Sequence, residues 1–144
     1  MLTIKRTLMT LLTLGFLLSG LHSQLCAKQA DGGDVSILPI FVEELNDSNF
    51  QQTIAQGIVI VDYHAKWCQP CKLFAPMFEE VAKEHRGKLT FGKLDIDEAP
   101  NARRHSRISS VPTVIIFKDG KEIKRNAGVF SNKDKFIDFI KSAG

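Results

Sequence analysis

The chain predicts an α/β domain, a central mixed β-sheet flanked by helices, and three observations carry that reading. Short apolar runs alternate with segments of helical period from about residue 36 onward. Ile58-Val59-Ile60-Val61 is a continuous β-branched run, the composition of a central strand covered on both faces. Two late apolar runs, Thr113 to Phe117 and Glu122 to Ala127, flank Lys118-Asp119-Gly120-Lys121, whose Asp-Gly pair is a hairpin signal and implies an antiparallel pair in the sheet. Together they give the order β-α-β-α-β-α-β-β-α.

The elements follow in turn. Ile37 to Phe41 is expected as the first strand, and Asn46-Asp47-Ser48 offers caps for a helix that carries Phe50 and Ile54 and ends at Gly57. After the Ile58 to His64 strand, Phe74, Met77, Phe78 and Val81 recur at the spacing of a helix stripe that packs on the sheet. Pro76 lies inside that helix and removes the bond to the Lys72 carbonyl, so a kink is expected there. Arg86-Gly87-Lys88 closes it, and Leu89 to Asp95 reads as the third strand. Pro100 to Arg107 reads as a short helix whose Arg103, Arg104 and Arg107 form a solvated face. Ser131 is expected to cap a last helix with Phe136, Ile137 and Ile140 inward.

The 144 residues suit one domain plus an extension. Net charge is +3, from 19 basic against 16 acidic residues, which implies no nucleic-acid partner. Residues 1–27 differ in kind. Lys5 and Arg6 precede the apolar run Thr7 to Leu21, and no acid appears before Asp31, the pattern of a secretory signal. Export, to a periplasm, is the expectation, with an uncleaved membrane anchor as the variant and a mitochondrial presequence as the rival. Cleavage is placed after Ala27, which would remove Cys26; acylation of Cys26 is the alternative, although Ser23-Gln24-Leu25 lacks small residues. Residues 28–35 read as a polar linker and 36–144 as the folded domain.

The chemistry centres on Trp67-Cys68-Gln69-Pro70-Cys71-Lys72, between the central strand and the helix that starts near Pro70. Two cysteines three apart at a helix mouth are a redox pair or half a metal site. Unpaired N–H groups and partial positive charge at the helix start stabilise a thiolate on the first cysteine, and Pro70 suits the first helical position. Cys68 is thus the expected nucleophile and Cys71 the thiol that resolves the mixed disulfide. Three cysteines make no disulfide framework, and zinc would need four ligands where no second CxxC or paired histidines exist. No metal and no cofactor are expected. His85 and His105 lack ligand spacing and read as ordinary. Asp62 follows the central strand's apolar run, where a carboxylate is costly to ionise, so its pKa is expected to be raised.

Val61 to Lys72 resembles the thioredoxin active-site segment, with Gln69 where most members carry glycine. Lys93-Leu94-Asp95-Ile96-Asp97, Val111-Pro112-Thr113 and Phe117-Lys118-Asp119-Gly120 resemble the family's other markers in the same order. The resemblance runs from about Val35 to the end and implies the thioredoxin fold. It implies that Asp62 lies beneath Cys71 and takes its proton through water, with Lys93 nearby, and that the Val111–Pro112 bond is cis. It also implies that Trp67, Gln69, Pro70, Val111, Pro112 and Gly128 border the substrate groove, and that Pro112 keeps a metal from the cysteines. His64 departs from the aromatic residue of many bacterial members and could tune the proton balance or simply pack. The implied activity is thiol–disulfide exchange that reduces protein disulfides. An exchange partner would reset the pair, and the protein is expected to be a monomer. An exported thiol oxidase or isomerase, a metal-binding CxxC module and a non-catalytic binding subunit are the alternatives.

Overall fold

The computed structural model describes residues 41–143. The expected signal segment, Cys26, the linker and all of the proposed Ile37–Phe41 strand except Phe41 lie outside them. Phe41 is in no strand, and the first strand described is β1 (Glu43–Leu45), three residues at the sheet edge. The elements then run α1 (Phe50–Ile54), β2 (Ile58–His64), α2 (Gln69–Glu84), β3 (Thr90–Asp95), α3 (Pro100–His105), β4 (Thr113–Lys118), β5 (Lys121–Ala127) and α4 (Lys133–Lys141). This is the order expected.

The five strands lie in the order β1-β3-β2-β4-β5. β1, β3 and β2 are parallel, whereas β4 pairs antiparallel with β2 and with β5. β2 is therefore the middle of the sheet, and Val59, Ile60 and Val61 are fully buried as a strand covered on both faces requires. The hairpin between β4 and β5 turns at Asp119 (φ 49°) and Gly120 (φ 80°). Two successive left-handed residues match a tight turn to the twist of the strands, and glycine takes such a φ without steric cost.

The sheet separates two cores. One holds Phe50 and Ile54 of α1, Ala102 of α3, and Val59, Val61, Tyr63, Ile115 and Phe117. Within it the Tyr63 hydroxyl is 2.6 Å from Ser106 Oγ, so its one polar atom is satisfied on burial. The other core sets Phe74, Phe78 and Val81 of α2 and Phe136 and Ile140 of α4 against Ile60, Phe91, Val114 and Ile116. Its rings meet at 5.4 Å (Phe74–Phe136) and 5.5 Å (Phe78–Phe91), edge-on pairs that add about 0.5–1.5 kcal/mol each beyond area burial. Met77 and Ile137 pack at the rim of this core, only half-buried.

Three caps differ from expectation. The N-cap position of α1 is Asn49, whose side chain caps nothing, while Asn46 Oδ1 accepts from the Ser48 amide within its own turn. Asp47 serves a remote helix: its carboxylate accepts from the amides of Asn101 (3.2 Å) and Ala102 (2.8 Å) at the start of α3. Asn132, not Ser131, caps α4 by accepting from the Lys135 amide at 3.0 Å. α2 continues through Pro76 as one element with the proline exposed. His85 closes α2 with Nδ1 2.9 Å from the Val81 carbonyl, and His105 packs edge-on against Phe50.

Candidate active site

The strand β2 delivers the chain to the site, and α2 begins there. Between them the Cys68 amide donates to the Ala65 carbonyl at 3.0 Å, a turn that leaves Cys68 in extended conformation as the N-cap of α2. Its Sγ accepts from the Cys71 amide at 3.2 Å. The sulfur thus occupies the place where the first-turn N–H groups and the positive end of the helix dipole favour negative charge. Gln69 opens the helix and Pro70 is its second residue, one position later than expected; both are exposed. Cys68 and Cys71 are joined in a disulfide with their Cα atoms 5.3 Å apart, and each is 4% exposed. That separation lies inside the range a disulfide spans without backbone movement.

Exposed apolar side chains flank the pair alongside the exposed polar Lys66, Gln69 and Lys72. Trp67, directly before Cys68, is 67% exposed, and its Nε1 donates to Asp97 Oδ2 at 2.8 Å. Asp97 is in turn placed by the bend after β3, where its amide donates to Asp95 Oδ1 at 3.0 Å. Sequence reasoning noted the segment that holds both aspartates but gave neither a role. The signal was there in Asp-x-Asp, a pattern suited to a side chain that bonds the backbone two residues on. Leu73, exposed near the start of α2, and Val129, exposed beside Gly128, extend the apolar surface and were also missed.

The loop before β4 carries the Val111–Pro112 peptide, which is cis. Val111 packs against the core cluster that includes both cysteines, and Pro112 is buried. Among the described residues no hydrogen bond uses the Val111 amide or carbonyl. Gly128, at φ 97°, donates its amide to the Pro112 carbonyl at 2.8 Å, so these two expected groove residues are tied together. Glycine suits that position because few side chains adopt such a φ.

Beneath the helix start lies a cavity of about 150 Å³ lined by Asp62, His64, Ala65, Lys66, Cys71, Lys72, Ala75 and Lys93. Strand register builds it. Asp62 pairs with Lys93 of β3, and Lys93 with Glu44 of β1, so the three side chains form one row on the face that α2 covers. Asp62 is 3% exposed, and its Oδ1 has no hydrogen-bond partner. Burial pushes its carboxyl from 3.8 up to about 7, and the Lys93 ammonium acts the other way. Lys93 forms no ion pair with Asp62 among the described residues; it reaches Glu44 at 3.1 Å and Glu79 at 4.0 Å, which divides its charge among three carboxylates. His64 also borders the cavity with Nε2 unpartnered, and burial holds its pKa below the usual 6.5.

The arrangement can carry two electrons as the dithiol and release them on forming the disulfide, and it can hold a proton on a buried carboxyl. Among the described residues no three His, Cys, Asp or Glu side chains group as a metal would need.

Comparison with known proteins gives the same direction. The family model for thioredoxin matches residues 41–142. The chain is 41% identical over 99 residues to a thioredoxin of Chlamydia trachomatis serovar D, which covers 69% of this chain and 95% of that protein. Similar matches are a thioredoxin of Chlamydia muridarum, 42% identical with the same coverage, and one of Staphylococcus saprophyticus, 39% identical with 94% of that protein covered. The chain therefore belongs to the thioredoxin family, and its Cys68–Cys71 pair makes it a thiol–disulfide oxidoreductase.

Proposed function

We propose that this protein reduces disulfides in protein substrates outside the cytoplasm, with Cys68 as attacking thiolate, Cys71 as resolving thiol and Asp62 as the proton acceptor for Cys71. The observation that carries the reading is the position of Cys68 Sγ as the helix N-cap, where the Cys71 amide stabilises negative charge. Thiolates at such termini are formed at lower pH than a free cysteine's and attack disulfides accordingly. An extended substrate segment fits beside Val111, whose free backbone groups can pair with it as an added strand. Trp67, Gln69, Pro70, Pro112 and Gly128 frame that groove.

In the first step the Cys68 thiolate attacks a substrate disulfide, which forms the mixed disulfide and expels one substrate sulfur. In the second the Cys71 thiol gives its proton to the Asp62 carboxylate and attacks Cys68 Sγ. The Cys68–Cys71 bond forms, the bond to substrate breaks, and the substrate leaves with two electrons gained. A carboxyl titrating at about 7 is matched to this task at neutral pH, and the cavity between it and Cys71 has room for water to bridge them. A separate thiol-bearing partner then restores the dithiol. Lys93 tunes the proton acceptor and needs no contact with substrate.

The reduction potential of the Cys68–Cys71 couple tests the direction. Thioredoxin itself is the reference at about −270 mV, whereas a strong periplasmic thiol oxidase sits near −120 mV. A value below about −200 mV is expected. A value near −120 mV would make the protein a disulfide-forming oxidase instead. The location rests on Lys5-Arg6 and the apolar run after them, in residues outside those described. The same segment allows membrane attachment if it is not cleaved, and a monomer is the proposed state.

A further inference from the structure

We infer that His64 is the second proton-handling residue of the resolving step, a relay that connects the Asp62 carboxyl to solvent. The inference rests on the reading of Asp62 as the acceptor for Cys71 and extends it.

The problem that His64 answers is set by burial. A proton taken from Cys71 by Asp62 arrives on a side chain that is 3% exposed, and it must leave again before the next cycle. Asp62 makes no hydrogen bond through Oδ1 that could carry it away. His64 lies two residues further along β2, on the same face by the alternation of a strand, and borders the same cavity as Asp62, Cys71 and Lys93. It is half-buried where Asp62 is buried, so its side chain meets both the cavity and solvent. Among the described residues, its Nε2 and Asp62 Oδ1 are the two buried cavity-lining side-chain polar atoms without a partner. A neutral imidazole has one N–H and one lone pair, and can accept a proton on one nitrogen while releasing one from the other. The cavity, at about 150 Å³, has room for several waters, each taking about 30 Å³ in the liquid, to join the groups.

The charges around the ring keep it neutral but responsive. Burial lowers its pKa most, and Lys93 of β3 lowers it further. Asp95, its register partner on β3, Glu44 of β1 and Glu98 beyond β3 raise it. Lys66, ion-paired to Glu98, and Lys72 of α2 complete the cavity wall. Glu79 of α2 reaches the site only through Lys93. With Lys66 paired to Glu98 and Lys93 to Glu44 around it, the ring holds a free lone pair at neutral pH and shares with Asp62 a cavity through which water can pass the proton. During resolution Cys71 loses its proton to Asp62, Asp62 passes it to His64, and His64 releases it to solvent. The electrons stay in the exchange of the Cys68–substrate bond for the Cys68–Cys71 bond.

The test separates the two thiol steps by rapid mixing of the reduced protein with a small protein disulfide, at pH 6 to 9. His64→Gln keeps a polar side chain of similar reach but cannot relay a proton. It is expected to slow resolution of the mixed disulfide on the order of tenfold near pH 7, to leave the Cys68 attack step unchanged, and to lose its effect at pH 9 where Cys71 ionises unaided. In the Asp62→Asn background it should add nothing. A second measurement needs no His64 variant: the ring proton resonances of His64 should shift with a midpoint at the Asp62 titration near pH 7, and Asp62→Asn should abolish that shift. If His64→Gln leaves resolution unchanged, or slows both steps equally, while Asp62→Asn slows resolution alone, His64 has no relay role and the Asp62 reading stands. If Asp62→Asn itself leaves resolution unchanged, both readings fall.

Discussion

Asp62 is held in place at a cost, and the cost has a sign and a pH window. Its carboxyl titrates at about 7 in the folded protein against about 3.8 in an unfolded chain, so between those values the unfolded chain has released a proton that the folded one keeps. Stability present below pH 3.8 is therefore lost as pH rises and is fully lost above 7. At about 1.4 kcal/mol per pH unit the ceiling on that loss is roughly 4 kcal/mol. Asp62→Asn keeps the shape and removes the titration, so urea denaturation should find the variant about as stable as the parent at pH 4 and more stable by 2–4 kcal/mol, roughly, at pH 8. A variant less stable than the parent at pH 8 would mean that the carboxylate is paired rather than desolvated. His64 works at the opposite end. Its folded pKa is lowered, so the unfolded chain binds a proton below 6.5 that the folded one refuses, and stability falls as the solution is acidified from there. Both residues cost stability at one cavity, each in the pH range where its folded and unfolded protonation differ.

At the scale of elements, what was legible in the sequence was what local pattern determines. The β-branched run gave β2 its central place because only a strand covered on both faces is apolar throughout. Asp119-Gly120 gave the hairpin because few other pairs take two left-handed residues in a row. The misses share a cause. β1 is three residues, Glu43–Leu45, and its two glutamates carry no apolar alternation; it is a strand only because β3 pairs with it. Asp47 was read as a cap for the helix next to it, yet it caps α3 more than fifty positions on. Capping rules look a few residues ahead and cannot see a partner brought in by the fold. The cysteines and the raised pKa of Asp62 were legible for the opposite reason, since each is marked by its own residue type and neighbours, whereas the cis proline was legible only through the resemblance of Val111-Pro112-Thr113 to the family's marker. The cavity was not. Asp62, His64, Cys71 and Lys93 meet through strand register and the seating of α2, and neither is written in a local motif.

The whole molecule divides its labour between a rigid sheet and one reactive end. Two cores clamp the sheet from either side, and the site sits where β2 hands the chain to α2, with the β4 loop beside it and the bend after β3 holding Trp67. Where this device works is proposed to be set by the N-terminal segment. A reporter fused to residues 1–35 should be exported, because Lys5-Arg6 and the apolar run have the form of a secretory signal. Activity of that reporter confined to the cytoplasm would place the enzyme there. The proposed division of roles between the two cysteines depends on none of these further points, and its support is one geometric fact, the seat of Cys68 Sγ at the N-cap of α2. Mass spectrometry of the reduced single-cysteine variants after exposure to a protein disulfide reads it directly. Cys71→Ser should accumulate a mixed disulfide between Cys68 and the substrate, while Cys68→Ser should trap none and turn over nothing. Accumulation on Cys71 in the Cys68→Ser protein, with none on Cys68 in the Cys71→Ser protein, would reverse the roles and contradict the mechanism.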